Sequence, residues 1–324
     1  MGSQLIVSSF KSKAIFSLDK QNGRMLWKYE LAEYGGYSPS ADEQRVYAST
    51  ASRVICLEIG TGKKIWSYEP YKRRQASFYS DAILAGDRIL ISDRYGYLHC
   101  LHAKTGKIIW KSFLSTKGPF ALNATVTIAK DKVYVISTGG ELSCVDIANG
   151  KPLWVIYLDE GGIRPPIVQE KKIYLQGSRG LFIVDMQDLL RVKKVSFEEI
   201  MDICISGDVV YALERRRRQE SSSEVYRILS VEPNNKVSLV VSTKYNMSDF
   251  AHVDDGEHIA ILGADRISFL NVVTRKIDMQ VIDGVFSSMP FVDRNYIYTV
   301  GMMNEAICLQ IPSSDSSEAA AERY

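Results

Sequence analysis

Four stretches of this chain say the same thing: IFSLDKQNGRMLW (15–27), VICLEIGTGKKIW (54–66), LHCLHAKTGKIIW (98–110) and LSCVDIANGKPLW (142–154). In each, a small residue (Ser17, Cys56, Cys100, Cys144) is followed six positions on by Gly23, Gly62, Gly106 or Gly150, and ten positions on by Trp27, Trp66, Trp110 or Trp154. A period of this size marks an array whose units cannot bury their apolar faces alone. Each unit reads as strands. Apolar, β-branched runs such as Val54 to Ile59 and Ile65 to Tyr68 flank a Thr/Asn-Gly-Lys/Arg turn, where glycine supplies the positive φ that other residues resist. Upstream of these lie a run such as Val46-Tyr47-Ala48 or Val133-Tyr134-Val135 and, before it, a fourth with small residues or proline. Four antiparallel strands per unit, apolar on both faces, describe a propeller blade held between two others.

The register outlasts the tryptophans. The same strand position recurs at Ile183, Leu229, Phe269 and Cys308, so eight anchors follow one another at 39 to 46 residues. The expectation is an all-β protein, a β-propeller of four-stranded antiparallel blades, with eight blades favoured and seven as the competing count. The first unit is expected to lack its opening strand, because Gln4 to Ser9 aligns with a second strand, and the last its closing strand, because Ile311 runs into SSDSSEAAAERY. Residues 1–311 are expected to form a single propeller domain and 312–324 a disordered tail.

These turns resemble the pyrroloquinoline-quinone-like (PQQ-like) repeat, through Asp19 to Trp27, Glu58 to Trp66 and Asp146 to Trp154, with His102 in place of the acid in the third copy. The resemblance implies that each tryptophan docks on the neighbouring blade. Beyond residue 159 it rests on strand register, with Lys193, Leu239 and Met279 at the tryptophan position. The family's quinoprotein dehydrogenases hold a quinone and Ca²⁺ in the central funnel, using an adjacent-cysteine disulfide, a tryptophan floor and a Glu/Asn/Asp metal set. This chain has no Cys-Cys pair, and its four tryptophans all sit in the repeat. No cofactor, no metal and no enzymatic activity are therefore expected. The resemblance points instead to the family's noncatalytic branch, which includes a bacterial outer-membrane assembly lipoprotein acting as a scaffold.

Composition suits a soluble body: 324 residues, 46% hydrophobic, 24% charged and a formal charge of +2, enough to bury a large core. No apolar stretch is long enough to span a bilayer and no signal-like segment opens the chain. Cys56, Cys100, Cys144 and Cys308 share one repeat position on different blades, and Cys204 lies in another strand, which reads as core thiols in a reducing compartment. A cytoplasmic location is expected; a removed leader stays open.

Departures from the repeat carry the functional expectations. The sixth unit separates Tyr211 from Leu229 by eighteen residues where Tyr47 and Cys56 are nine apart, and the excess is Arg215-Arg216-Arg217-Arg218-Gln219-Glu220-Ser221-Ser222-Ser223. Insertions map to loops, and loops on a rigid scaffold bind. Arg215 to Arg218, with a second basic loop at Lys72-Arg73-Arg74, are the partner-binding candidates; the bland alternative is a solvated loop. The funnel, where first strands begin, carries Tyr37, Tyr79, Asn123, Arg164, Asp202, Asp249 and Ser288. His252, Asp254, Asp255 and His258 make a weak metal candidate whose plainer reading is a hairpin turn. His99 and His102, three apart on one strand, face opposite sides and cannot share a metal. The leading expectation is a noncatalytic scaffold binding one or more proteins; the alternatives are a ligand-binding or enzymatic funnel, and a nucleic-acid or anionic-surface binder through the arginines.

Overall fold

The computed structural model describes residues 3–9, 12–33, 37–71, 78, 80–114, 126–162, 164–217, 224–252, 257–263, 266–282, 291–293, 296–300, 306–310 and 321–323. Among them every regular element is a strand, and the strands form eight consecutive antiparallel sheets, seven of four strands and one of three. The chain is thus an all-β propeller with one sheet per repeat. Blade 1 is Gln4–Ser9, Ala14–Asp19 and Met25–Glu30, without an opening strand as its sequence requires. Blade 2 is Ser40–Ala41, Arg45–Ser49, Val54–Glu58 and Lys64–Tyr68, and the later blades repeat this order. One expectation fails at the other end. The segment beyond Ile311 was read as a tail with no strand, yet Ala321–Arg323 pairs with Ile307, Cys308 and Leu309 and completes the last sheet. Its AAAER sequence has neither the repeat's glycine turn nor its tryptophan, so no local pattern marked it.

The chain divides into two compact units, Met1–Gly177 with Phe182–Lys193, and Ser178–Leu181 with Lys194–Tyr324. In the first, the opening strands of blades 2 and 3 approach each other, as do those of blades 4 and 5; in the second, those of blades 6, 7 and 8 do the same. The opening strand is therefore the inner one. Second and third strands are buried on both faces, as in Val54–Glu58, whereas the fourth strand alternates, as in Met25–Glu30. Each core cluster lies between two blades: Tyr47, Val54 and Cys56 of blade 2 meet Ile89, Ile91 and Leu101 of blade 3. This two-faced burial explains why the runs are apolar at every position instead of alternating.

The repeat motif is a lock between neighbours. The indole N–H of Trp27 donates to the Ile59 carbonyl (2.7 Å), that of Trp66 to Ala103 (2.8 Å) and that of Trp110 to Ile147 (3.0 Å), each acceptor lying in the next blade. Each ring then lies on the next blade's turn glycine. A methyl group at Gly62 would come within 2.7 Å of Trp27, at Gly106 within 2.6 Å of Trp66 and at Gly150 within 2.5 Å of Trp110. The same glycines have φ of 66° to 75° and donate N–H to the carbonyls of Glu58, His102 and Asp146. The acid of the motif also closes its turn: the Asp19 and Asp146 carboxylates accept the N–H groups of Gln21 and Ala148 at 2.8 Å. His102 performs the same task, its Nδ1 lying 3.2 Å from Lys104 N. A strand irregularity follows the small anchor in each copy, between Cys56 and Leu57 for example, where Cys56 faces Trp66. Leu229 faces Leu239 and Phe269 faces Met279, as the register predicts; opposite Leu229, however, stands Ala212, and Tyr211 faces Ser230.

These contacts set a stability test. Gly106→Ala puts a methyl group against both an indole ring and an unfavourable φ, and is expected to cost about 2–4 kcal/mol in chemical denaturation. Gly86→Ala, at φ 60° with open space around it, pays the backbone strain alone, about 1–2 kcal/mol. Equal losses in the two variants would show that the tryptophan contact is not what makes the motif glycine necessary.

Candidate functional site

Over Arg215, Arg216 and Arg217 the insertion in the sixth unit is strand and not loop. The second strand of blade 6 runs Val209–Arg217, nine residues against five in blade 2, and its partner runs Glu224–Val231. Arg215 faces Tyr226, Arg216 faces Val225 and Arg217 faces Glu224 across a hairpin that outreaches the opening strand, whose own pairing ends at Ile200 with Glu214. Arginine and valine are compatible with extended backbone, and the hairpin is held from the side by the linker entering blade 6. Arg215 takes Glu199 in a two-point grip (Nε to Oε2 3.0 Å, Nη2 to Oε1 2.6 Å). Arg216 reaches Glu198 at 2.6 Å, and Arg217 lies 3.8 Å from Glu224. The hydrogen bonds from Arg215 hold the Glu199 carboxyl below its ordinary range. Backbone ties align the two segments: Arg215 N–H donates to the Glu199 carbonyl at 2.9 Å, and Glu198 N–H to the nearly buried Glu214 carboxylate at 2.9 Å. Arg218, and Lys72, Arg73 and Arg74, lie outside the described residues.

The same linker-to-turn clasp occurs in other blades with other chemistry. In blade 2, Glu33 from the incoming linker accepts from Thr50 (2.5 Å), Ser52 (2.8 Å) and Arg53 (3.2 Å) in the turn between second and third strands. In blade 3, Tyr71 donates to Asp93 Oδ2 at 2.5 Å. Asp93 is fully buried, accepts the N–H groups of Tyr95 (2.9 Å) and Tyr97 (3.0 Å), and meets His99 Nε2 at 2.7 Å. The other nitrogen of the equally buried His99 meets the Tyr68 hydroxyl at 3.0 Å, and Lys111 Nζ donates to the Tyr71 hydroxyl oxygen at 3.1 Å. This bonding suits a neutral imidazole that donates from Nε2 and accepts at Nδ1. Burial pushes His99 down, while the donors around Asp93 outweigh its own burial and hold it down as well. Burial pushes the Tyr68 phenol up to about 12. Sequence reading used His99 only to dismiss a metal with His102. Asp93 and Tyr71 reach His99 through the turn and the linker, so strand periodicity carried no signal of the network.

The expected funnel residues are partly engaged in holding blades together. Asp202 is buried and accepts the N–H of Phe250 from the next blade at 2.8 Å, and the Tyr37 carbonyl accepts the Ser8 hydroxyl of blade 1 at 3.1 Å. Asp249 lies in the opening strand of blade 7 opposite Leu262, and Arg164 is half-buried ahead of blade 5. Tyr79, Asn123 and Ser288 lie outside the described residues. His252 ends the opening strand of blade 7, Asp254 and Asp255 fall outside the described residues, and His258 lies 3.4 Å from the Asn271 amide. Among the described residues no His, Cys, Asp and Glu group is arranged to hold a metal.

The family model described as outer membrane protein assembly factor BamB matches residues 1–195. No curated protein sequence matches the chain. In structure it is similar to BamB from Moraxella catarrhalis, with a TM-score of 0.74 and 16% identity over 96% of this chain and 94% of that one. It is also similar to the computationally designed protein Ika8 (0.76, 11%, 96% and 94%) and to quinohemoprotein alcohol dehydrogenase from Comamonas testosteroni (0.71, 13%, 95% and 69%). At these identities the likeness shows the propeller architecture. The quinone set of the dehydrogenase branch does not fit the residues here: Trp27, Trp66, Trp110 and Trp154 all lie in fourth, outer strands, and Cys56, Cys100, Cys144 and Cys204 are free thiols on four different blades.

The blade 3 network makes stability pH-dependent. His99 has its folded pKa below the unfolded 6.5, so the neutral ring's contribution is present above about pH 6.5 and is lost as pH falls below it. Urea midpoints are expected to drop from pH 7 toward pH 5. The His99→Gln variant should be less stable throughout yet show a flat or reversed slope over that window; an unchanged slope would remove His99 as its source.

Proposed function

We propose, because the chain belongs to the PQQ-like family whose model is described as outer membrane protein assembly factor BamB, that it is a noncatalytic scaffold holding protein partners within a multi-protein assembly. The observation that carries this reading is the blade 6 hairpin. The second strand, five or six residues long in the other blades, runs nine here and forms a paired ribbon stiffened by Arg215–Glu199 and Arg216–Glu198, and rigid projections from a locked framework are suited to recognition. The matching family model is described as an assembly factor, and an assembly role is what this chain is proposed to share. The reading includes a reducing, cytoplasmic location, supported by four buried thiols distributed over separate blades and pushed up by burial, Cys56 and Cys204 to about 12.

The test is affinity capture of the tagged chain from its native cell, alongside a variant in which residues 215–223 are cut back to the turn length of the other blades. Stoichiometric recovery of a protein partner by the intact chain, and its loss from the shortened one, is the expected result. A chain that recovers no protein partner would sink the scaffold reading.

A further inference from the structure

We infer that the blade 6 hairpin is a receptor for an acidic, extended segment of a partner protein, and that Glu198 and Glu199 occupy it in the free chain as an internal stand-in for that segment. The inference rests on the scaffold reading and names the chemistry of the partner.

The occupant that the hairpin already holds shows what it fits. Two consecutive residues of an extended linker present carboxylates to two consecutive arginines, Glu199 to Arg215 and Glu198 to Arg216. The linker's backbone is tied in at the same time, through Arg215 N–H to the Glu199 carbonyl and Glu198 N–H to Glu214. A free phosphate or a nucleic-acid backbone supplies the charge but not this peptide edge. An acidic polypeptide supplies both, since planar guanidinium groups match carboxylates in two-point geometry.

The linker leaves the hairpin early. Phe197, one residue before Glu198, turns away to bond the Arg179 carbonyl at 2.9 Å. Arg217 therefore stands one step beyond the linker's reach, with 76% of its side chain exposed and Glu224 at 3.8 Å across the ribbon. An acidic strand would take hold at Arg217 and displace Glu198 and Glu199 behind it. Exchange begins at Arg216 and Glu198, 43% and 46% exposed, since exposed pairs contribute little in water; Arg215, 25% exposed and gripped by Glu199 at two points, gives way last. The root stays in place: Glu214, 5% exposed, is flanked by Arg227 at 3.5 Å and Arg216 at 3.9 Å.

The experiment is fluorescence anisotropy with the full chain and a short labelled peptide of alternating glutamate and serine, its glutamine counterpart, and a labelled single-stranded oligonucleotide, at low and physiological ionic strength. The acidic peptide is expected to bind, more weakly as salt rises, and the glutamine peptide not to bind. Glu198→Gln with Glu199→Gln removes the competitor, so binding should tighten roughly twofold to tenfold. Arg217→Ala should weaken it roughly threefold or more, and its exposed, loosely paired side chain makes this variant the deciding one should the glutamine pair disturb the hairpin in a thermal melt. Peptide affinity that ignores Arg217→Ala, or that falls in a folded glutamine double variant, overturns the inference, as does preferential binding of the oligonucleotide. A captured partner that both variants retain in full would overturn it while leaving the scaffold reading intact; peptide binding with no captured partner would do the reverse.

Discussion

The first four blades depend on one contact made at three successive junctions: an indole ring laid on the turn glycine of the next blade, with its N–H on a carbonyl just ahead of that glycine. Each blade is two-faced and apolar, and an isolated one would expose both faces. The indole fixes the spacing between sheets while the clusters between them, such as Leu90, Leu98 and Cys100 with Val133, Val135 and Val145, remove the apolar surface from water. A small anchor opposite the tryptophan and an acid or histidine closing the turn are then required by geometry. The thiols at Cys56, Cys100 and Cys144 are explained as space-filling groups at that anchor.

A second set of ties works where the linkers enter. Glu33, Tyr71 and the Glu198–Glu199 pair each come from the segment entering a blade and grip the turn between its second and third strands. The position is constant and the chemistry is not: a carboxylate on hydroxyls and an arginine, a phenol on a buried aspartate, two carboxylates on two arginines. Where the gripped turn is short, the clasp is part of the framework. In blade 6 the second and third strands run on past the opening strand, and the clasp consists of ion pairs from Glu199 and Glu198 to Arg215 and Arg216.

The fold was largely legible before any coordinates. The Gly-Trp spacing, the two-faced apolar runs and the anchors through Cys308 correspond to eight sheets with the first one short of a strand. The misreadings have local causes. Ala321–Arg323 completes its sheet without the motif, because an outermost strand pairs on one side only and tolerates a polar sequence. Arg215, Arg216 and Arg217 read as a loop because they fall in an insertion, although two paired strands can lengthen together and extended backbone accepts arginine where carboxylates meet it. Asp202, placed at the funnel by register, lies in an opening strand, and what the sequence does not show is that it accepts a neighbouring blade's N–H.

What the sequence determined by itself was the repeating unit, because glycine at positive φ and tryptophan at fixed spacing are local requirements that one blade imposes on the next. What only the tertiary structure decided was which polar groups meet. The Asp93–His99–Tyr71 network joins a turn, a strand and a linker, and the arginine ribbon is paired by carboxylates sixteen to eighteen residues earlier in the chain. Hydrogen bonds and ion pairs act over a few ångströms, and these residues come within that range only after the strands of a blade have paired and its entering linker has been laid against them.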